Sequence, residues 1–172
     1  DHPEIVHELS KAGAGAAVID NFQKFDGIPV EEHRGIVLEA IKGGGSYQII
    51  QNFEKFRGIT EKDHTEIVYE LSKAGAGAAV IDNFQKFTGI PVGEHRSIVL
   101  EAIKGGGSYG VIRNLEKFSG ITDKDHRYIV LEIIKSGGGY YLRNDLDKFK
   151  GLDAPLRQVI KAGKYEALPQ VL

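Results

Sequence analysis

No cysteine occurs among the 172 residues, which excludes a disulfide framework and any thiolate metal site. That is compatible with a reducing compartment and specifies none. No run of about 18 apolar residues occurs either, so no membrane-spanning helix is expected. An excess of one charge is also missing: 22 lysines and arginines face 24 aspartates and glutamates, for a formal net charge of -2. No global basic field exists, which counts against strong nonspecific nucleic-acid binding but leaves room for a local basic stripe. The chain opens at Asp1 with neither a methionine nor a leader-like stretch. It is expected to be a processed or trimmed fragment, and nothing addresses it to a compartment.

What is present is periodic. His2, His33, His64, His95 and His126 are 31 residues apart, and so are Lys11, Lys42, Lys73, Lys104 and Lys135. Phe25, Phe56, Phe87, Phe118 and Phe149 keep the same interval, each followed two residues later by a glycine. A fixed period of this size signals a repeat architecture. The expected fold is all-α: a right-handed α-solenoid of 31-residue two-helix repeats, about five and a half units, in a single repeat domain over 1–172. The units are 1–31, 32–62, 63–93, 94–124 and 125–153, with a C-terminal cap at 154–172. Odd and even units differ, so a second period of 62 residues lies over the first. Duplication and deliberate construction would both produce it.

Within a unit, Pro29 suits a first helical turn. Thr60 and Thr122 take its place in alternate units, and Thr60-x-x-Asp63 and Thr122-x-x-Asp125 resemble capping boxes. Val30, Ile36, Val37 and Ala40 or Ile41 then recur at helical spacing, which predicts a first helix over 29–42. Gly43, Gly44 and Gly45 stop it. A second helix is expected from Ser46, with Ile49, Ile50, Phe53 and Phe56 as its apolar stripe, closed by a left-handed Gly58 and the following Ile59. The Gly-Ile or Gly-Leu pair returns at 27, 89, 120 and 151. Neither helix can bury its apolar face alone, so stacking of units must offset the ordering entropy.

The candidate ligand surface is the line of glycine loops. Each precedes a helix N-terminus, where free N–H groups and the dipole favour anions. Lys11, Lys42, Lys73, Lys104 and Lys135 stand at the loop entrances. With Gly44, Gly45, Gly75, Gly106, Gly107, Gly137 and Gly138 they form the candidate nucleic-acid-binding set. The plain alternative is that each lysine complements the end of its own helix and each glycine merely permits a turn. The histidine line reads as structural, partly buried between units and too widely spaced to share a metal. Asn21, Asn52, Asn83 and Asn114 read as a ladder bonded between units or to loops. The Glu8/Glu39/Glu70/Glu101/Glu132 and Lys24/Lys55/Lys86/Lys117/Lys148 lines read as solvated faces. Positions that vary on the constant frame include Tyr47, Tyr109, Tyr140, Tyr141 and Arg113 in second helices, and Arg34, Arg96 and Arg127 in first helices. Modular readers and ordinary surface drift both give that pattern. No nucleophile–base–orienter set and no metal-ligand cluster emerges, so no enzyme activity and no cofactor are expected.

The run Ile36-Val37-Leu38-Glu39-Ala40-Ile41-Lys42-Gly43-Gly44-Gly45-Ser46-Tyr47, with its copy from Ile98, resembles the repeat of the TAL-effector-like DNA-binding proteins. The resemblance implies an apolar helix, a glycine-rich loop facing the major groove of duplex DNA, and a second helix. The base-reading loop position falls here on Gly13, Gly44, Gly75, Gly106 or Gly137, which have no side chain, and the lysines precede the glycines instead of following them. Contact with the nucleic-acid backbone is therefore expected in place of a base code. The expected function is a non-enzymatic, monomeric binding scaffold with duplex DNA as partner. A protein- or peptide-binding or engineered scaffold without nucleic-acid affinity is the alternative.

Overall fold

The computed structural model describes residues 2–25 and 27–170. Asp1 and the last two residues of the expected cap lie outside them. All regular structure among the described residues is helical. The first helices of the units are α1 (His2–Leu9), α3 (His33–Lys42), α5 (His64–Leu71), α7 (His95–Ala102) and α9 (Asp123–Lys135). The second helices are α2 (Gly15–Asp20), α4 (Ser46–Gln51), α6 (Gly77–Asp82), α8 (Ser108–Asn114) and α10 (Gly139–Leu142), and α11 (Ala154–Ala162) follows. Each first helix packs on the next one, α3 on α5, α5 on α7 and α7 on α9, and the second helices pair similarly.

Both expected helices are shorter than their apolar spacing implies. Pro29 has an extended backbone (ψ 143°) and stands before the helix; a tight turn over Val30–Glu32 leads into α3. The second helix breaks at Asn52, after which Phe53–Lys55 winds more tightly. At this break the asparagine side chain folds back on its own helix. Asn52 Nδ2 donates to the Gln48 carbonyl at 2.8 Å, which the Asn52 N–H also uses at 2.9 Å. Asn21, Asn83 and Asn114 repeat the side-chain bond to the carbonyl four residues back. The asparagine line thus bonds mainly within its own helix; among the described residues only Asn114 also reaches the neighbouring unit, at Asp82 (3.2 Å).

The core runs through all the units. Val37, Val68, Val99 and Val130 are buried along one line, and Ile36, Ile67, Ile98 and Ile129 along another. Each such side chain contributes about 1.5–3 kcal/mol by leaving water. Ile5 and Leu9 of α1 are exposed, on the face that in later units is covered by the preceding helix pair. At the other end Tyr165 donates to the Gly139 carbonyl (2.5 Å), and Arg157 donates to the carbonyls of Leu146, Phe149 and Leu152. These bonds tie α11 and the segment after it to the fifth unit.

The Phe and His lines form one aromatic seam. Phe22 meets Phe56 at 4.9 Å between ring centroids, Phe53 meets Phe87 at 4.8 Å, and Phe84 meets Phe118 at 4.6 Å. His33, His64 and His95 stand edge-on to this seam. Their Nδ1 atoms accept the N–H groups of Gly58, Gly89 and Gly120 at 3.1–3.4 Å, and His126 accepts from Lys150 at 2.7 Å. Gly58, Gly89 and Gly120 therefore differ from expectation. They are not left-handed; Gly27 and Gly151 alone among the Gly-Ile/Leu closures have positive φ. A side chain at Gly58 would collide with the Val30 carbonyl, so close approach and not turn geometry requires the glycine there. His2 is exposed, unlike its four counterparts.

Candidate functional site

The loop between α3 and α4 shows what the glycine triplet does. Gly44 adopts φ +84°, its N–H reaches the Ile41 carbonyl at 3.1 Å, and the Gly45 N–H reaches the Ala40 carbonyl at 2.7 Å. This pair of bonds closes a helix around a left-handed residue. The Gly137 and Gly138 N–H groups make the same pair with Ile134 and Ile133. Gly43 has another role: a methyl there would strike the Ser10 carbonyl of the unit before. Across this approach the Gly15 N–H donates to the Gly43 carbonyl at 3.0 Å, joining the loops of two units.

The proposed glycine set consequently divides. Gly44, Gly75, Gly106 and Gly137 sit at open loop tips with nothing within 4 Å of where a Cβ would be. Gly45, Gly107 and Gly138 are buried against the preceding unit and do not face a ligand. The expected anion site at the helix N-termini is reduced too. The second helices span six or seven residues, and four in α10. The loop N–H groups of Gly44 and Gly45 are already used.

Lys11, Lys42, Lys73, Lys104 and Lys135 are all exposed at the loop entrances. Four of them are paired with the glutamate three residues back: Lys11–Glu8 (3.1 Å), Lys73–Glu70 (2.8 Å), Lys104–Glu101 (3.2 Å) and Lys135–Glu132 (2.7 Å). Hydrogen bonding to Glu8 and Glu70 holds the Lys11 and Lys73 ammoniums above their ordinary range. Lys42 makes no such pair among the described residues, because Glu39 of its own helix is bound by His7 of the unit before. The glutamate line is thus a set of ion-pair partners. In the other lysine line, Lys86 and Lys148 donate to the Ile50 and Ile112 carbonyls of preceding units.

The variable Arg34 and Arg96 of the first helices face the following unit, and Arg127 faces Asp153 at the start of α11. Arg34 pairs with Asp63 (3.1 Å) and Glu66, Arg96 with Asp125 (2.8 Å), and Arg127 with Asp153 (2.7 Å). Asp63 and Asp125 are the capping-box acids, each accepting the N–H and hydroxyl of its threonine. Burial opposes ionisation of Asp63, but the Thr60 bonds and Arg34 outweigh it and hold its carboxyl below the ordinary range.

Tyrosines stand beside the lysines. Tyr47, Tyr109, Tyr140 and Tyr141 are all exposed, Tyr140 by 70%. Tyr109 and Tyr141 lie 5.2 Å apart between ring centroids, and Tyr140 and Tyr141 5.9 Å. The Arg113 guanidinium lies over the Tyr109 ring at 5.6 Å, and Arg143 over Tyr140 at 5.7 Å. Farther along the same edge, a groove of about 760 Å³ runs between units two and three, lined by Lys42, Tyr47, Lys73 and Ala78. Sequence reasoning noted these tyrosines only as variable positions and missed their clustering. The signal was the Tyr-x-x-x-Arg and Tyr-x-x-Arg spacing, which puts ring and guanidinium on one helical face.

Among the described residues no three or more His, Asp or Glu side chains are grouped to hold a metal ion, and no helix is long and apolar enough to cross a membrane. No family model matches the chain, and no curated protein or solved structure is significantly similar to it.

Proposed function

We propose that the chain is a non-enzymatic, monomeric binding scaffold, a right-handed α-solenoid of 31-residue units in one domain, and that it binds nucleic acid along its loop edge. The observation behind this reading is the recurrence, at each 31-residue step, of an exposed lysine beside a loop-tip glycine, with exposed tyrosines next to it in the even units and the fifth. A ligand with a regular charge repeat matches a surface with a regular cation repeat. The local likeness to TAL-effector-like repeats supports the same edge and suggests duplex DNA. Contact falls to the five lysines and the open Gly44, Gly75, Gly106 and Gly137. The pairing of four of these lysines with the glutamate three residues back counts against this reading; it does not bar phosphate, because the pairs are exposed and phosphate contact also releases condensed counterions.

A protein or peptide ligand is the second reading. It is favoured by the neutralised lysines and by the apolar share of the groove beside Tyr47.

Anisotropy titrations with duplex and single-stranded oligonucleotides at about 50 and 200 mM salt test the first reading. Binding should weaken steeply with salt. The triple substitution Lys42→Ala, Lys73→Ala, Lys104→Ala should lower the salt slope by about two to three, since each lost contact to B-DNA removes about 0.9. No binding at low salt, or an unchanged slope in a folded variant, rejects it.

A further inference from the structure

We infer that Tyr109, Tyr140 and Tyr141, with Arg113 and Arg143, form a platform on which the unpaired bases of a single-stranded nucleic acid stack. This rests on the nucleic-acid reading of the loop edge and replaces the duplex suggested by the TAL-effector-like likeness with an unpaired strand. Three features point this way. The rings are exposed and adjoining, with centroid separations of 5.2 and 5.9 Å and planes inclined at 53° and 77°, so they make a stepped row across units four and five on which each ring offers its own face to one base. Such rings leave water only if a flat apolar partner covers them. Each flank carries a guanidinium, Arg113 at 5.6 Å and Arg143 at 5.7 Å from a ring centroid. A planar cation beside an aromatic face suits a ligand that is both aromatic and anionic.

The strip also continues the lysine edge. Lys104 and Lys135 stand at the entrances of the loops from which Tyr109 and Tyr140 emerge. Phosphates can follow the lysines while bases lie on the rings. A duplex cannot use this arrangement, because its base faces are occupied by neighbouring bases; an unpaired strand can. Alanine replaces the tyrosine at Ala16 and Ala78, so the platform belongs to the C-terminal half, with Tyr47 an isolated outpost beyond the groove.

The experiment uses the full chain and three fluorescein-labelled probes of equal length: an oligo-dT strand, an abasic strand with the same phosphates, and a duplex. Wild type should bind oligo-dT at least ten-fold more tightly than either other probe. The chain has seven tyrosines and no tryptophan, so quenching of tyrosine fluorescence by unlabelled oligo-dT reads stacking directly. The triple variant Tyr109→Ala, Tyr140→Ala, Tyr141→Ala should lose the margin for oligo-dT and keep its abasic-strand affinity. The corresponding triple Phe variant should retain the margin. Equal affinity for oligo-dT and the abasic strand, preference for the duplex, or an unchanged margin in a folded alanine variant overturns the platform and leaves the lysine edge standing. No binding of any probe at low salt overturns both. Quenching by a proline-rich peptide with none by oligo-dT assigns the platform to a protein ligand and overturns it as a base-stacking site.

Discussion

Ser72 is fully buried, and its hydroxyl finds no hydrogen-bond partner; Ser10 repeats this in unit one. At the equivalent positions other units place isoleucine, Ile41, Ile103 and Ile134. A buried hydroxyl without a partner costs desolvation and returns nothing. Ser72→Ala should therefore stabilise the chain by about 1 kcal/mol, read as a higher urea midpoint at an unchanged slope. A lower midpoint would show that the hydroxyl bonds in solution. Gly43 is the opposite case. Its absent side chain leaves room for the Ser10 carbonyl, and Gly43→Ala forces two backbones apart. A loss of about 1–3 kcal/mol is expected. Gly93, with nothing within 4 Å, is the control: Gly93→Ala should leave stability unchanged or slightly raise it.

At the scale of elements, the capping boxes both start helices and join units. Asp63 accepts the Thr60 N–H at 2.8 Å and the Thr60 hydroxyl at 2.7 Å while pairing with Arg34 of the preceding unit. Asp63→Ala should cost about 1–2 kcal/mol in urea unfolding, chiefly through the lost cap. Arg34→Ala alone should cost less than about 1 kcal/mol, as a half-exposed pair does. If the two losses add without coupling in the double variant, Arg34 does not work through Asp63. The box was legible in the sequence because its parts lie three residues apart and need no tertiary context. The glycine stop after α3, the all-helical class and the buried valine and isoleucine lines were legible for the same reason. The break at Asn52 was not, since Ile49, Ile50, Phe53 and Phe56 fit a continuous helix. Nor was the role of Gly58, which depends on Val30, 28 residues earlier. The lysine–glutamate pairs were readable from their spacing, whereas the meeting of Tyr109 with Tyr141 requires two units side by side.

Across the whole molecule, the aromatic seam and the loop edge lie at opposite ends of the second helices, and they answer differently to pH. Burial pushes His33, His64, His95 and His126 below their ordinary value of 6.5, which keeps their Nδ1 atoms free to accept N–H groups. The unfolded chain takes up protons below about pH 6.5 that these four native rings refuse. Their contribution to stability is therefore complete above that pH and is lost as pH falls from 6.5 toward the folded values, with each ring adding at most about 1.4 kcal/mol per pH unit to the slope. His7 opposes them: burial disfavours its charge, but Glu39 and Glu32 outweigh burial and raise it. What His7 contributes is present below pH 6.5 and fades as pH rises through its folded value. Four lowered groups against one raised group give a net loss on acidification. Asp63, Asp125 and Asp153 stay ionised through this range, because each is held below the ordinary value of 3.8. The urea midpoint should accordingly fall between pH 7.5 and pH 5, while Asp63, Asp125 and Asp153 stay ionised. His7→Leu, which restores the residue found at Leu38 and Leu100, should make the fall steeper. A midpoint flat across that range would mean that the native rings take up protons as readily as the unfolded ones, so that losing the N–H bonds to their Nδ1 atoms costs nothing. Those bonds are each made within one unit, so coupling between units would in either case stay with the Phe22–Phe56, Phe53–Phe87 and Phe84–Phe118 contacts and the lines of buried valines and isoleucines.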